Sequence, residues 1–293
     1  MKKIIIGIDL GGTKIAAAAS DECGCILSEI IVPTEANKGK KQVVLNIVKA
    51  IECLSHSLKS KISSIGIGVP GPIDYKKGLV INPPNLPGWK KVNLKEELSK
   101  FFKVPIFIDN DANCAALGEA LFGAGQKAND FIYITVSTGI GGGIIIDRKI
   151  YRGANGSAGE FGHMIIDPNG YKCGCGNHGD LEAMASGTSI RTRSGEDAMA
   201  IHIKAQQGDK KAIKVINETA YYLGIGIANL VNIFNPELVV VGGGLSNMGE
   251  LLLKPTRQEF NKHALALPKK SVKIVRAKLR ARAGLLGAIA LCL

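Results

Sequence analysis

Residues 3–14 read Lys-Ile-Ile-Ile-Gly-Ile-Asp-Leu-Gly-Gly-Thr-Lys, and residues 130–143 read Asp-Phe-Ile-Tyr-Ile-Thr-Val-Ser-Thr-Gly-Ile-Gly-Gly-Gly. Each is an apolar, β-branched run that breaks into a glycine turn. A second apolar run then returns, Lys14 to Ser20 in the first case and Gly143 to Asp147 in the second. Runs of this kind bounded by glycine form strands joined by a tight turn. One strand–turn–strand unit therefore occurs twice, about 130 residues apart.

The flanking sequence extends both copies. A third strand at 25–32 follows the Cys23-Gly24-Cys25 corner, and Val44, Ile47, Val48, Ile51, Leu54 and Leu58 mark a helix over 41–59. A strand at 63–69 stops at Pro70-Gly71-Pro72; another at 104–108 runs into Asp109-Asn110-Asp111, with a helix from Ala112. Beyond the second copy come a long helix at about 210–234, a buried strand at 238–241 before Gly242-Gly243-Gly244, and a last helix near 283–293. No linker rich in Pro, Gly and Ser separates the halves. The expected architecture is α/β, with two lobes that each carry a sheet and a glycine turn and face each other across a cleft. The boundaries expected are 1–115 plus 282–293 for a smaller lobe and 116–281 for a larger one.

Composition narrows the function classes. The 293 residues are 46% hydrophobic and 21% charged, enough for well-filled cores and too apolar for disorder. The net charge of +12 is spread along the chain. Its clusters (Lys38, Lys40 and Lys41; Arg276 to Arg282) hold no interleaved aromatics, so no nucleic-acid partner is expected. The charge serves solubility or the steering of an anionic nucleotide. No run approaches 18 apolar residues, which argues against a membrane span. Seven cysteines, an odd number without a secretion signal, suggest reduced thiols in the cytoplasm and a candidate metal site.

Two motif resemblances fail. Gly7 to Lys14 has the order Gly-Thr-Lys rather than Gly-Lys-Thr and no following helix, so it is not a P-loop. Gly66 to Gly71 spells GxGxxG, but Pro70 and Pro72 interrupt it and exclude a dinucleotide fold. The glycine turns themselves suit phosphate. Gly11 and Gly12 offer backbone N–H groups, Thr13 a hydroxyl and Lys14 a charge, while Asp9 is placed to hold Mg²⁺ through water. Thr138 and Gly139 are the counterparts in the second copy, and Gly243 and Gly244 would let a flat adenosine approach backbone. Either turn alone reads equally well as a plain hairpin; the pair favours a nucleotide.

Seven ordered motifs then resemble the ROK family of sugar kinases and repressors. They are DLGGTK at 9–14, GVPGPID at 68–74, NPPNLPGW at 82–89, DNDAN at 109–113, STGIGGG at 137–143, GANGSAGEFGH at 153–163 and CGCGNHGDLEAMASG at 173–187. The resemblance spans the chain and is greatest to the family's glucokinase branch. It implies a two-lobed ribonuclease H-like, actin-like ATPase fold of hexokinase type, and ATP-dependent phosphorylation of a hexose. Asp111 matches the family's catalytic base, and Asn85, Asn110, Asp111, Glu160, His163 and Glu182 match its sugar-contact positions. Asp109, Asn110 or Asp111 is also expected to cap the helix that follows. Glu160 and His163, three apart, would share a helical turn and point the same way.

Cys173 and Cys175 with His163 resemble the family's structural zinc site, but Asp180 stands where its third cysteine falls. Zinc accepts carboxylates, so His163, Cys173, Cys175 and Asp180 form one possible set; His178 or water is an alternative fourth ligand, and a weakened or absent metal is the third outcome. Glucose is the favoured hexose, with mannose, N-acetylglucosamine and N-acetylmannosamine as alternatives, and ATP or polyphosphate as donor. A homodimer or homotetramer is expected. The first strand begins at Lys3, which argues against the DNA-reading module of the family's repressors. An actin- or Hsp70-type ATPase would not need Glu160, His163 and Glu182.

Overall fold

Strands and helices alternate along the chain because period-two and period-3.6 apolar patterns alternate in the sequence. The computed structural model describes residues 3–83 and 85–293; Met1 and Lys2 of the expected first lobe, and Pro84 of the motif at 82–89, lie outside the described residues. In chain order the strands are β1 Lys3–Leu10, β2 Lys14–Ser20, β3 Ile26–Pro33, β4 Lys61–Val69, β5 Ile73–Asp74, β6 Leu79–Val80, β7 Val92–Asn93, β8 Ile106–Asn110, β9 Phe131–Val136, β10 Ile140–Ile146, β11 Lys149–Tyr151, β12 Leu238–Gly242 and β13 Lys273–Arg276. The helices are α1 Lys40–Ser57, α2 Leu94–Ser99, α3 Asp111–Phe122, α4 Leu181–Ala185, α5 Gly187–Ser194, α6 Ala198–Gln206, α7 Lys210–Phe234, α8 Glu250–His263, α9 Ala266–Ser271 and α10 Ala283–Ala290.

Two compact units share these elements: Met1–Gly123, Lys149–Ala158 and Arg282–Leu293 form one, Ala124–Arg148 and Gly159–Ala281 the other. Residues 116–123 and 149–158 thus lie with the first unit rather than the second. Helix α3 runs unbroken to Phe122 and packs along α10, so a boundary at 115 would cut a helix with one continuous packing face.

In the first unit the sheet order is β3-β2-β1-β4-β8. The β1–β2 and β2–β3 pairs are antiparallel, and β1–β4 and β4–β8 are parallel. The core over one face joins Ile4, Ile6, Ile8, Ile65 and Ile67 to Ile47, Ile51 and Leu54 of α1. On the opposite face α10 lies so close that a Cβ on Gly66 would stand 1.8 Å from the Ala288 carbonyl oxygen, and one on Gly287 1.6 Å from that of Cys114. Gly66 of the apparent dinucleotide fingerprint is therefore a packing glycine. Within the second unit the order β10-β9-β12-β13 repeats the pattern, an antiparallel hairpin followed by two parallel strands.

Some expected bounds move. Strand β10 starts at Ile140, with Gly141 and Gly142 paired to Thr135 and Ile134, so the turn is confined to Ser137, Thr138 and Gly139. Position 142 takes glycine within the strand because any Cβ there would meet the Phe161 ring at 2.1 Å. Strand β8 likewise runs through Asp109 and Asn110, and α3 begins at Asp111 itself.

Candidate active site

Parallel strands collect their C-terminal ends along one edge of a sheet, and α/β folds place ligands there. In the first unit the register pairs Asp9 with Gly68 and Gly68 with Asp109, so the ends of β1, β4 and β8 form one row. Neighbouring strands lie about 4.8 Å apart, which puts the Asp9 and Asp109 backbones about 10 Å from each other. Asp111 follows in the first turn of α3, where the helix dipole favours negative charge.

Hydrogen bonds fix this acidic turn. Asn110 is the residue that caps α3: its Oδ1 accepts from the N–H of Ala112 at 2.9 Å and of Asn113 at 3.4 Å, and its Nδ2 donates to the Gly71 carbonyl at 3.2 Å. With its oxygen committed to the helix, Asn110 retains only an amide N–H for a ligand. Asp111 Oδ1 accepts from Ala112 N–H at 2.8 Å. Asp109, buried, accepts from its neighbour Asn110 N–H at 2.8 Å and from Asn113 Nδ2 at 2.9 Å on one oxygen, and from Arg152 Nε at 2.7 Å on the other. The Arg152 guanidinium also stacks 4.7 Å from the Tyr75 ring centroid. Neither Arg152 nor Tyr75 was legible as a site residue from spacing, since an arginine in a loop carries no local signature.

The first glycine turn is strapped by Thr34, whose Oγ1 donates to the Gly11 carbonyl at 2.7 Å and whose N–H donates to that of Thr13 at 3.0 Å. Gly11 departs from expectation. Its N–H is spent on the Lys14 carbonyl at 3.0 Å, which closes the turn, so Gly12 and Thr13 are left as the backbone donors to offer. Gly12 must be glycine because a Cβ would meet the Asn85 Cβ at 2.7 Å, and this contact seats exposed Asn85 beside the turn. Half-buried Asp9 has its carboxyl raised, burial outweighing the lowering by Lys14. A carboxylate is the donor type that magnesium takes through water.

In the second unit the counterpart turn is held by α5: Gly187 N–H donates to the Ser137 carbonyl at 2.7 Å, and the Thr188 hydroxyl to that of Thr138 at 2.8 Å. A cleft of about 430 Å³ opens beside it, lined by Thr138, Arg191, His202, Gly244 and Asn247 among others. Gly243 sits at φ 79° against β9, where a Cβ would meet the Val136 carbonyl oxygen at 2.3 Å, so only its neighbour Gly244 lines the cleft. A larger cleft of about 570 Å³ over α7 holds none of the candidate residues, and its Arg193 is engaged by Glu218, Thr219 and the Ser189 carbonyl.

Glu182 Oε2 accepts from Ile140 N–H at 2.8 Å, and a Cβ on Gly139 would lie 2.2 Å from that same oxygen, so Glu182 and the second turn occupy one spot. The expectation of a shared helical turn fails for Glu160: it precedes the short helix Phe161–His163 with φ −71° and ψ 51°, leaving only His163 on it.

His163, Cys173, Cys175 and Asp180 converge, their ligand atoms all within 4.8 Å of one another. His163 Nδ1 lies 3.1 Å from Asp180 Oδ2 and 3.8 Å from Cys173 Sγ, and Cys175 Sγ lies 3.3 Å from Asp180 Oδ2. Those are the edge lengths of a tetrahedron around an ion bonded at about 2.0–2.3 Å, and the donor set suits zinc. Asp180 divides its oxygens: Oδ1 caps α4 by accepting from Ala183 N–H at 2.8 Å, and Oδ2 faces the cluster. Burial, then the Asp180 carboxylate, pushes the Cys173 thiol up to about 12. On Asp180 burial pulls upward, but bonds from Cys173, Ala183, His163 and Cys175 hold its carboxyl below the usual range. His178, the alternative ligand, is exposed and outside the cluster; the turn at Gly174 and Cys175 instead sets it in a bridge with Lys172.

A repeated hairpin-plus-parallel-strand sheet with a glycine turn in each copy defines the class: a mixed α/β, ribonuclease H-like, actin-like ATPase fold of hexokinase type. The chain belongs to the ROK family, whose sequence model matches residues 5–293. It is 39% identical to a glucokinase of Halalkalibacterium halodurans over 284 residues, 89% of this chain and 86% of that protein. It is 38% identical to a xylose repressor of Caldicellulosiruptor bescii over 98% of this chain and 77% of that protein. A ROK family glucokinase from Streptomyces griseus, solved in complex with glucose and AMPPNP, superposes with a TM-score of 0.83 at 37% identity, covering 98% of each chain.

Proposed function

We propose that this protein transfers the γ-phosphoryl group of ATP to glucose, giving glucose 6-phosphate and ADP. The observation that carries the reading is the braced Asp109-Asn110-Asp111 turn at the strand edge, in a chain 39% identical to a glucokinase. Asp111 accepts the proton of the sugar hydroxyl as the bond to phosphorus forms. Asn110 donates its remaining amide N–H to the sugar, and Asn85, Glu160, His163 through Nε2, and Glu182 through its second oxygen complete the recognition of hydroxyls. Gly12, Thr13 and Lys14 with Thr138 and Gly139 hold phosphates, while Gly244 and the cleft beside it take the adenosine. Magnesium, held through Asp9, would neutralise phosphate charge.

Zinc held by His163, Cys173, Cys175 and Asp180 would fix the loop that carries His163, a structural role. The two compact units correspond to the two lobes of this fold class. The chain acts as a cytoplasmic homodimer or homotetramer, binding neither nucleic acid nor membrane; no helix among the described residues is long and apolar enough to cross one.

A coupled ADP-release assay across glucose, mannose, fructose, N-acetylglucosamine and N-acetylmannosamine tests the reading. Glucose is expected to give the highest kcat/KM, and Asp111→Ala to lose roughly 100-fold or more in turnover while glucose binding stays within about tenfold. A variant that keeps a tenth of the turnover removes Asp111 from its role. The likeness to a xylose repressor supports a second reading, a sugar-responsive regulator, which a chain that binds sugar without releasing ADP would favour.

A further inference from the structure

We propose that Arg152 is a positioning residue for the phosphoryl transfer, acting through Asp109 on the turn that presents Asn110 and Asp111. This rests on the glucokinase reading and adds a residue to it. Asp109 is 2% exposed at its side chain, and Arg152 Nε reaches its Oδ2 at 2.7 Å. The other carboxylate oxygen of Asp109 holds the backbone N–H of Asn110 and the side chain of Asn113, one residue before and two residues after Asp111. Any rotation of Asp109 therefore disturbs the segment on both sides of the base.

Arg152 is itself immobilised. Its guanidinium stacks on Tyr75, and Gly156, at φ 92°, packs on the same ring and against the Ile73 carbonyl; a Cβ there would meet them at 3.3 and 3.0 Å. Ala158 N–H closes the loop by donating to the Arg152 carbonyl at 3.2 Å. The segment 149–158 is thus pinned within the first unit by one ion pair and one ring.

A guanidinium is needed here for a physical reason. The buried thiol of Cys114 is pushed up by burial and then by Asp109, Asp9 and Asp111, and Arg152 pulls it down. Three carboxylates thus act electrostatically on one buried thiol. Without a cation on Oδ2, Asp109 would turn toward water and release Asn110 N–H or Asn113. Arginine also brings a planar fork that stacks and bonds at once, which lysine lacks.

Steady-state kinetics on purified full-length chain test this, with glucose and MgATP varied separately. Arg152→Gln is expected to lower kcat about 100-fold and raise the glucose KM, with the MgATP KM within about threefold. Arg152→Lys should recover part of the lost turnover, about a tenth, and stay well below wild type. Because Arg152 acts through Asp109, the Asp109→Asn/Arg152→Gln double variant should lose no more than the worse single variant. Circular dichroism confirms folding of each. An Arg152→Gln kcat within about threefold of wild type overturns the proposal, as do losses that multiply in the double variant. If Arg152→Gln does not fold, Arg152→Lys decides: an unchanged kcat overturns the proposal, a selective fall in kcat supports it. A wild type inert toward every hexose would instead bring down the glucokinase reading, and this inference with it.

Discussion

Asp9 shows how a single residue is set against itself. Burial raises its carboxyl above the usual range, with Lys14 pulling the other way, so the folded chain binds that proton more tightly than the unfolded one. The stability associated with Asp9 is then greatest below its unfolded pKa and is lost as pH rises through the raised folded value. At neutral pH the charged form is a net cost, one that the proposed magnesium-water partner would offset. Asp9→Asn is therefore expected to raise the neutral-pH Tm by a few degrees while turnover falls about 100-fold or more. Calorimetry and the ADP-release assay read the two effects, and a Tm that falls would show that Asp9 stabilises the fold. Asp109 differs: its buried charge is compensated by Arg152. The motif DNDAN was legible at 109–113, but which of its members caps the helix was not, because Asn and Asp cap almost equally well. The bond from Asn110 to Gly71, a residue of another loop, favours Asn110 in that role.

Helix α10 decides the packing of the first unit at the element scale. Its sequence, Ala-Gly-Leu-Leu-Gly-Ala-Ile-Ala, is small enough to lie on β1, β4 and α3 at once. Gly287→Ala places a methyl group 1.6 Å from the Cys114 carbonyl oxygen, a backbone atom that cannot swing aside. The substitution is expected to cost about 3 kcal/mol or more, read as a shift in urea midpoint at constant m-value. A shift below about 0.5 kcal/mol would mean that α10 can slide. Periodicity found α1 and α7 in nearly their observed spans because both are long and one-sided. It extended no expectation to α2, α4, α5, α6, α8 or α9, of which α2, α4 and α9 are six residues or fewer. Elements that short are settled by caps and by what they pack against.

For the whole molecule, the four-ligand cluster ties segments at 163, 173–175 and 180 to one another, and its metal should stabilise the folded chain by linkage. About one zinc per chain is expected by elemental analysis, and stripping it with a chelator should lower the Tm. Asp180→Asn keeps an oxygen to cap α4 but is a poorer ligand, so it should lose zinc with a smaller stability loss than Asp180→Ala, which gives up the cap as well, about 1 kcal/mol more. Full zinc in Asp180→Asn would take Asp180 out of the ligand set. The sequence by itself determined the repeated strand–turn–strand unit, the fold class and the family, because β-branched runs, glycine turns and ordered motifs are local properties of the chain. Tertiary structure alone decided that Asp180 and not His178 completes the cluster, that Gly11 spends its N–H inside its own turn, and that Arg152 braces Asp109. Each of those depends on where a loop folds back and which donor it satisfies, and residue spacing carries no record of that.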